Sequence, residues 1–236
     1  MHSAVLYLIL VANLIASCTI GPAPIVIYED KRDSIRLKFD PKAGSHHSHP
    51  YSLTSDQMAA VLRGVRVMSR DTIVGFGLLD REGGPAFSGP EIALLAPYLS
   101  EGLRRASPTD VVTFYLTTGD PRLGTLITSG GIFVRNAHLY MILANFRTPP
   151  SSGPFEGMAY ELDNRDEPLS PIARYTFTMG FSPPQVRIPN AKAKDQDGYG
   201  GYLDESKLLV LDLPRLMTET QTPATKSIPP SQKPGP

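Results

Sequence analysis

A chain of 236 residues with 23 Lys plus Arg against 23 Asp plus Glu has a formal net charge of zero at pH 7. It advertises no basic surface to displace counterions from nucleic acid, so no nucleic-acid partner is expected. One cysteine in the whole chain excludes an intramolecular disulfide and every CxxC metal or redox motif, and the length suits one sizeable core.

The first element is an apolar run from Ala4 to Ala16, interrupted by Asn13 and followed by Ser17 and Cys18. It has the length of a signal-peptide core and is short of the roughly 18 to 20 residues that cross a bilayer. Ile15-Ala16-Ser17-Cys18 resembles the lipobox of bacterial lipoproteins: an aliphatic residue, two small ones, then the cysteine. The resemblance covers the first 18 residues and carries no information about the fold. It implies that residues 1–17 are a signal peptide, that the Cys18 thiol receives a diacylglyceryl group, and that cleavage before Cys18 exposes an amine for acylation. In lipoproteins of enteric-type bacteria an Asp after the cysteine retains the protein at the inner membrane, so Thr19 implies passage to the outer membrane, facing the periplasm. The implied partners are the membrane, through this N-terminal anchor, and an envelope protein of unstated identity.

Gly21 to Pro24 reads as a tether, followed by a strand at Ile25–Tyr28. In Ser34–Asp40 the residues Ile35, Leu37 and Phe39 alternate with Arg36 and Lys38, a period of two that predicts a strand with one buried face. Thr54-Ser55-Asp56-Gln57 is a capping-box pattern, and Met58, Val61, Leu62 and Val65 follow at helical spacing, predicting a helix over Ser55–Arg63. Val65–Met68 and Thr72–Leu79 read as strands. A second capping box, Ser88 to Glu91, opens the longest helix, whose buried stripe is Ile92, Leu95, Ala96, Leu99 and Leu103. Pro97 lies inside that stripe and predicts a kink or a restart.

From Val111 onward strands dominate: Val111–Leu116, then Thr125–Thr128 and Ile132–Arg135 flanking Ser129-Gly130-Gly131, then His138–Arg147 after a turn at Asn136-Ala137. Large apolar residues on both faces of His138–Arg147 predict a central strand covered on both sides. Further strands are expected at Met158–Leu162, Arg174–Phe181 and Lys207–Leu213. Residues 214–236, rich in proline and poor in bulky aliphatics, are expected to form a disordered tail. The expectation is a single α+β domain over residues 18–213, with a short N-terminal tether and two helices packed on one curved antiparallel sheet.

Three groups of residues invite a chemical reading. His46, His47 and His49 place imidazoles at a spacing that could supply two or three ligands to Zn²⁺, Ni²⁺ or Cu²⁺, although no carboxylate or cysteine nearby in sequence completes a site. His138, at a strand start, reads as an ordinary half-buried histidine. Asp195-Gln196-Asp197-Gly198-Tyr199-Gly200 has the opening of an EF-hand loop, but Tyr199 and Ser206 stand where two oxygen ligands belong. Ser129 with Gly130 and Gly131 is only a loose nucleophile elbow, because Ile127 occupies the place of the first glycine. Asp80, Glu82, Glu156, Glu161 and Asp163 show no spacing that pairs them. The sequence therefore points to a non-enzymatic, lipid-anchored binding or scaffolding module with no cofactor. A metal-binding lipoprotein using His46–His49 and an envelope hydrolase using Ser129 or paired carboxylates are the alternatives.

Overall fold

The computed structural model describes residues 22–41, 43, 47–69, 83–150, 164–172, 177–190 and 205–221. Cys18, His46, the Thr72–Leu79 and Met158–Leu162 segments, the five acids above, Asp195–Gly200 and residues 222–236 lie outside them. The strands are β1 (Ile25–Glu29), β2 (Ser34–Phe39), β3 (Val65–Ser69), β4 (Gly84–Pro85), β5 (Asp110–Asp120), β6 (Gly124–Arg135), β7 (His138–Thr148), β8 (Phe177–Phe181), β9 (Arg187–Ile188) and β10 (Leu208–Asp212). The helices are α1 (Ser55–Gly64), α2 (Gly89–Arg105) and α3 (Leu213–Gln221).

The fold is mixed α+β with open antiparallel sheets. Seven strands form the main sheet in the order β1-β2-β5-β6-β7-β10-β9, and β4-β3-β8 form a small second sheet. Every pairing in both sheets is antiparallel. One expected sheet is thus two, because β3 begins at the residue after α1 ends and is carried off with the helices, pairing with β8 rather than with the main sheet.

The helices form where local chemistry favours them. In α1 the Thr54 hydroxyl accepts the Gln57 N–H while the Gln57 side chain accepts the Thr54 N–H, the reciprocal pairing of a capping box. At the start of α2 the Ser88 N–H and the Ser88 hydroxyl both donate to the Glu91 carboxylate, 2.7 Å away. α2 continues as one helix through Pro97. Met58, Val61 and Leu62 of α1 and Leu95, Leu99 and Leu103 of α2 bury against Ile35, Leu37, Val112, Phe114, Ile132, Leu139 and Met141 on the inner face of the main sheet.

Two expectations about chain ends and turns are corrected. The supposed tail begins with a third helix: Leu213 and Leu216 of α3 are buried and Met217 packs on the core. The spacing i, i+3, i+4 gives these few aliphatics one common face, which a count of bulky residues overlooks. The Ser129-Gly130-Gly131 stretch is not a break between strands but the middle of the twelve-residue β6, with register irregularities on either side of Ser129. The glycines serve close approach: a Cβ on Gly130 would stand 2.0 Å from the Ile142 carbonyl oxygen, and one on Gly131 would stand 3.0 Å from Leu169 Cδ2.

The outer face of the main sheet carries a second, smaller apolar cluster of Val111, Phe133, Tyr140, Ile142 and Val210, onto which Leu169 packs. β7 is therefore covered on both faces, as its sequence predicts. Asn136 and Ala137, at φ +49° and +63°, turn β6 into β7 with the left-handed conformation that two-residue hairpins prefer.

Candidate functional site: an open edge and its groove

The histidine loop is turned inward. His47 Nε2 lies 3.0 Å from Asp40 Oδ2, with both side chains almost wholly enclosed. His49, also buried, accepts the Val134 N–H at Nε2, 3.0 Å away. Ser48 completes the contact: its N–H donates to the Val134 carbonyl and its hydroxyl accepts from the Asn136 N–H. The segment thus satisfies the backbone of β6 where its β5 pairing runs out at Ile132. Burial, with the neighbouring His47 ring second, holds the His49 pKa down at about 4. The lone pair that a metal would need on His49 Nε2 is already given to Val134. Among the described residues no group of three His, Cys, Asp or Glu side chains could hold a metal ion. His138 is half-buried at the start of β7.

Ser129 is fully buried and its hydroxyl is committed. It donates to the Pro168 carbonyl at 2.8 Å and accepts from Asn145 Nδ2 at 2.9 Å. Asn145 Nδ2 also reaches the Ser170 carbonyl, and its Oδ1 accepts the Ile172 N–H at 2.8 Å. The pair clamps a strap, residues 164–172, that crosses the outer face of the sheet.

At its other end the strap is held by charge. Arg36 meets Asp166 at 2.7 Å and Glu29 at 2.9 Å, and Lys38 meets Glu167 at 2.8 Å. Lys38 also donates to the Asp166 carbonyl. Arg165 donates to the Asp30, Lys31 and Asp33 carbonyls in the turn between β1 and β2. Burial alone would lower the Arg36 pKa, but the hydrogen bonds to Asp166 and Glu29 outweigh it and raise the value. A further ion pair, Glu91 with Arg147 at 2.8 Å, ties the start of α2 to the end of β7.

β1 forms one edge of the main sheet. It pairs with β2 on one side and, among the described residues, with no strand on the other. Ile25 and Val26 on β1 and Phe39 on β2, exposed by 49%, 49% and 41%, are three of the four large apolar side chains exposed among the described residues. An uncovered apolar edge of this kind offers backbone donors and acceptors to another molecule. Val26 is in register with Arg36, so it shares the outer face with that cation. Beside it runs a groove of about 460 Å³ lined by Pro22, Pro24, Val26, Arg36, Lys38, Phe39, Asp166 and Glu167. A larger hollow of about 650 Å³ lies between α1 and α2, but its charged residues, Asp56 and Arg63, are exposed. The β1 groove is the better-built site, combining sheltered charge with exposed apolar surface.

The alternation of Arg36 and Lys38 with apolar residues was readable, and so was their outward direction. Their partners were not, because Asp166 and Glu167 follow about 130 residues later in the chain. No helix among the described residues is long and apolar enough to cross a membrane. No protein-family model, curated protein or solved structure matches this chain.

Proposed function

We propose that this chain is a lipid-anchored bacterial envelope lipoprotein, held at the outer membrane facing the periplasm. In this reading it is a non-enzymatic module that binds or scaffolds another envelope component along β1 and its groove. The anchor rests on the lipobox resemblance at Ile15-Ala16-Ser17-Cys18. The binding role rests on one observation, the uncovered apolar edge of β1 a few residues beyond Cys18. Anchoring confines such an edge to the membrane surface and raises its effective concentration against neighbours, so modest intrinsic affinity suffices.

The metal-delivery and hydrolase readings lack a comparable observation. His47 and His49 are engaged inside the protein, and the Ser129 hydroxyl is occupied by the strap. Two measurements test the proposal. Mass spectrometry of the mature protein should find its N-terminus at Cys18 carrying diacylglycerol; a different N-terminus or a free Cys18 thiol defeats the anchor. A photo-crosslinker at Val26 should give a discrete adduct in the intact envelope, while one at Leu123, exposed by 63% near the β5–β6 turn, should not. Equal labelling from the two positions defeats the binding role.

A further inference from the structure

We infer that Arg36 and Lys38 form an anion-binding pair that the strap's own Asp166 and Glu167 keep covered, and that the groove beside them takes an amphipathic anion. The ligand class is a phosphate or carboxylate head with a short apolar tail. This rests on reading the β1 groove as a binding surface, and is independent of the lipid anchor.

The two bases and the two acids are held very differently. Arg36 and Lys38 stand two positions apart on β2, so their side chains leave the same face with backbone origins roughly 7 Å apart. Their side chains are only 14% and 17% exposed, enclosed by the sheet and strap. Asp166 and Glu167, by contrast, are 89% and 70% exposed on a short 3₁₀ turn and the residue after it. The bases are therefore fixed in the body of the protein, and the acids rest on them from outside. An ion pair whose acidic partner is this exposed contributes little, since water and salt compete for the carboxylate. A ligand anion reaching the same bases meets donors already in place and displaces a weakly held cover.

Arg36 also has capacity in reserve. Its Nη1 and Nη2 bond Asp166 and Glu29, but Nε is buried and has no hydrogen-bond partner among the described residues. A buried donor left unmatched is uncommon and calls for an explanation. An incoming oxyanion would supply one. Glu29 stays beside Arg36 when the cover lifts, which leaves Lys38 as the less compensated charge. The apolar part of the ligand follows from the rest of the lining, where Pro22, Pro24, Val26 and Phe39 sit beside the bases. The groove volume lies within the range of small-molecule sites.

The experiment titrates the purified full-length chain with butyl phosphate, inorganic phosphate and butanol, read by calorimetry and by amide exchange of residues 165–167 and 169. Butyl phosphate should bind about tenfold more tightly than inorganic phosphate, because its tail removes apolar surface from water, and should speed exchange of the strap. Butanol should not bind. The Asp166→Ala/Glu167→Ala double variant should bind butyl phosphate several-fold more tightly, and Lys38→Gln should weaken it by a similar factor. Failure of the double variant to gain affinity, or a Lys38→Gln chain that binds unchanged, overturns the inference. Competition of phosphatidylglycerol in phosphatidylcholine vesicles against butyl phosphate assigns the head group to a lipid; its absence assigns it to a free amphiphile. A Val26 adduct without butyl phosphate binding defeats this inference alone, whereas equal labelling from Val26 and Leu123 with intact binding defeats only the docking role.

Discussion

The two ends of the strap show two ways of fastening a polar segment to a sheet. At β6 and β7 the fastening is neutral and sealed: Ser129 and Asn145 are buried and satisfy two carbonyls and one N–H of the strap between them. At β2 it is charged and wet, with both acids largely in solvent. The first arrangement is costlier to damage, because Ser129 and Asn145 are out of water and neither can replace a hydrogen bond lost to the other. The second is cheap to damage and cheap to rearrange. A protein that needs one end of a segment fixed and the other exchangeable would distribute its polar groups in this way.

Substitutions can break this comparison or sharpen it. Asn145→Ala removes the acceptor of the Ile172 N–H and the donor to the Ser170 carbonyl, both part-buried, and takes a donor from the buried Ser129 hydroxyl, so it should cost about 3 kcal/mol by chemical denaturation. A loss below about 1 kcal/mol would mean that water replaces the clamp, and the sealed end would not be sealed. The other sealed polar contact, His49 on Val134, makes an acid-dependent prediction. Its pKa is held at about 4 against an ordinary 6.5, so the unfolded chain binds its proton more readily than the folded one. Stability from this source is intact above pH 6.5 and falls by about 3 kcal/mol as pH drops to 4. His49→Gln keeps an acceptor for Val134 and should flatten that part of the pH profile; an unchanged slope would assign the loss to other groups.

Smaller effects are expected nearer the surface. Gly131→Ala places a Cβ 3.0 Å from Leu169 Cδ2 and 3.1 Å from Val111 Cγ2, and should destabilise by about 1 kcal/mol through overpacking. It should also loosen the strap in amide exchange without touching its ion pairs. Asp166→Asn should change the melting free energy by less than about 0.5 kcal/mol. If it rivals Asn145→Ala, the two ends are fastened alike and the contrast fails.

What could be read from the sequence was what local spacing encodes. Both capping boxes, the apolar stripes of α1 and α2, and the two-faced burial of β7 follow from intervals of two, three and four residues. The long-range facts were not legible. Gly130 and Gly131 look like a turn until Ile142 and Leu169 are brought against them, and the histidines look like a solvated ligand set until Asp40 and Val134 meet them. α3 was missed because a proline-rich composition was averaged over a stretch whose first residues share one apolar face. For the candidate site, the outward direction of Arg36 and Lys38 was visible, whereas the strap that covers them was not. Sequence distance, rather than weak propensity, hid it.

The place of β10 has a consequence for how the protein is made. This strand lies between β7 and β9, and Leu209 and Leu211 enter the inner core while Val210 enters the outer cluster. It is also the latest strand in sequence among those described. During synthesis from the N-terminus, β7 has emerged long before the neighbour that completes its hydrogen bonding. Until Leu208–Asp212 leaves the ribosome, the His138–Ile142 half of β7 is unpaired on that side and both apolar clusters lack a wall. The nascent chain therefore presents an adhesive strand throughout the stretch of elongation between Thr148 and Leu208, and release from that state comes late, with β10 and the α3 turn that follows it. A folding helper that shields bare strand edges has its work set by this ordering of the chain.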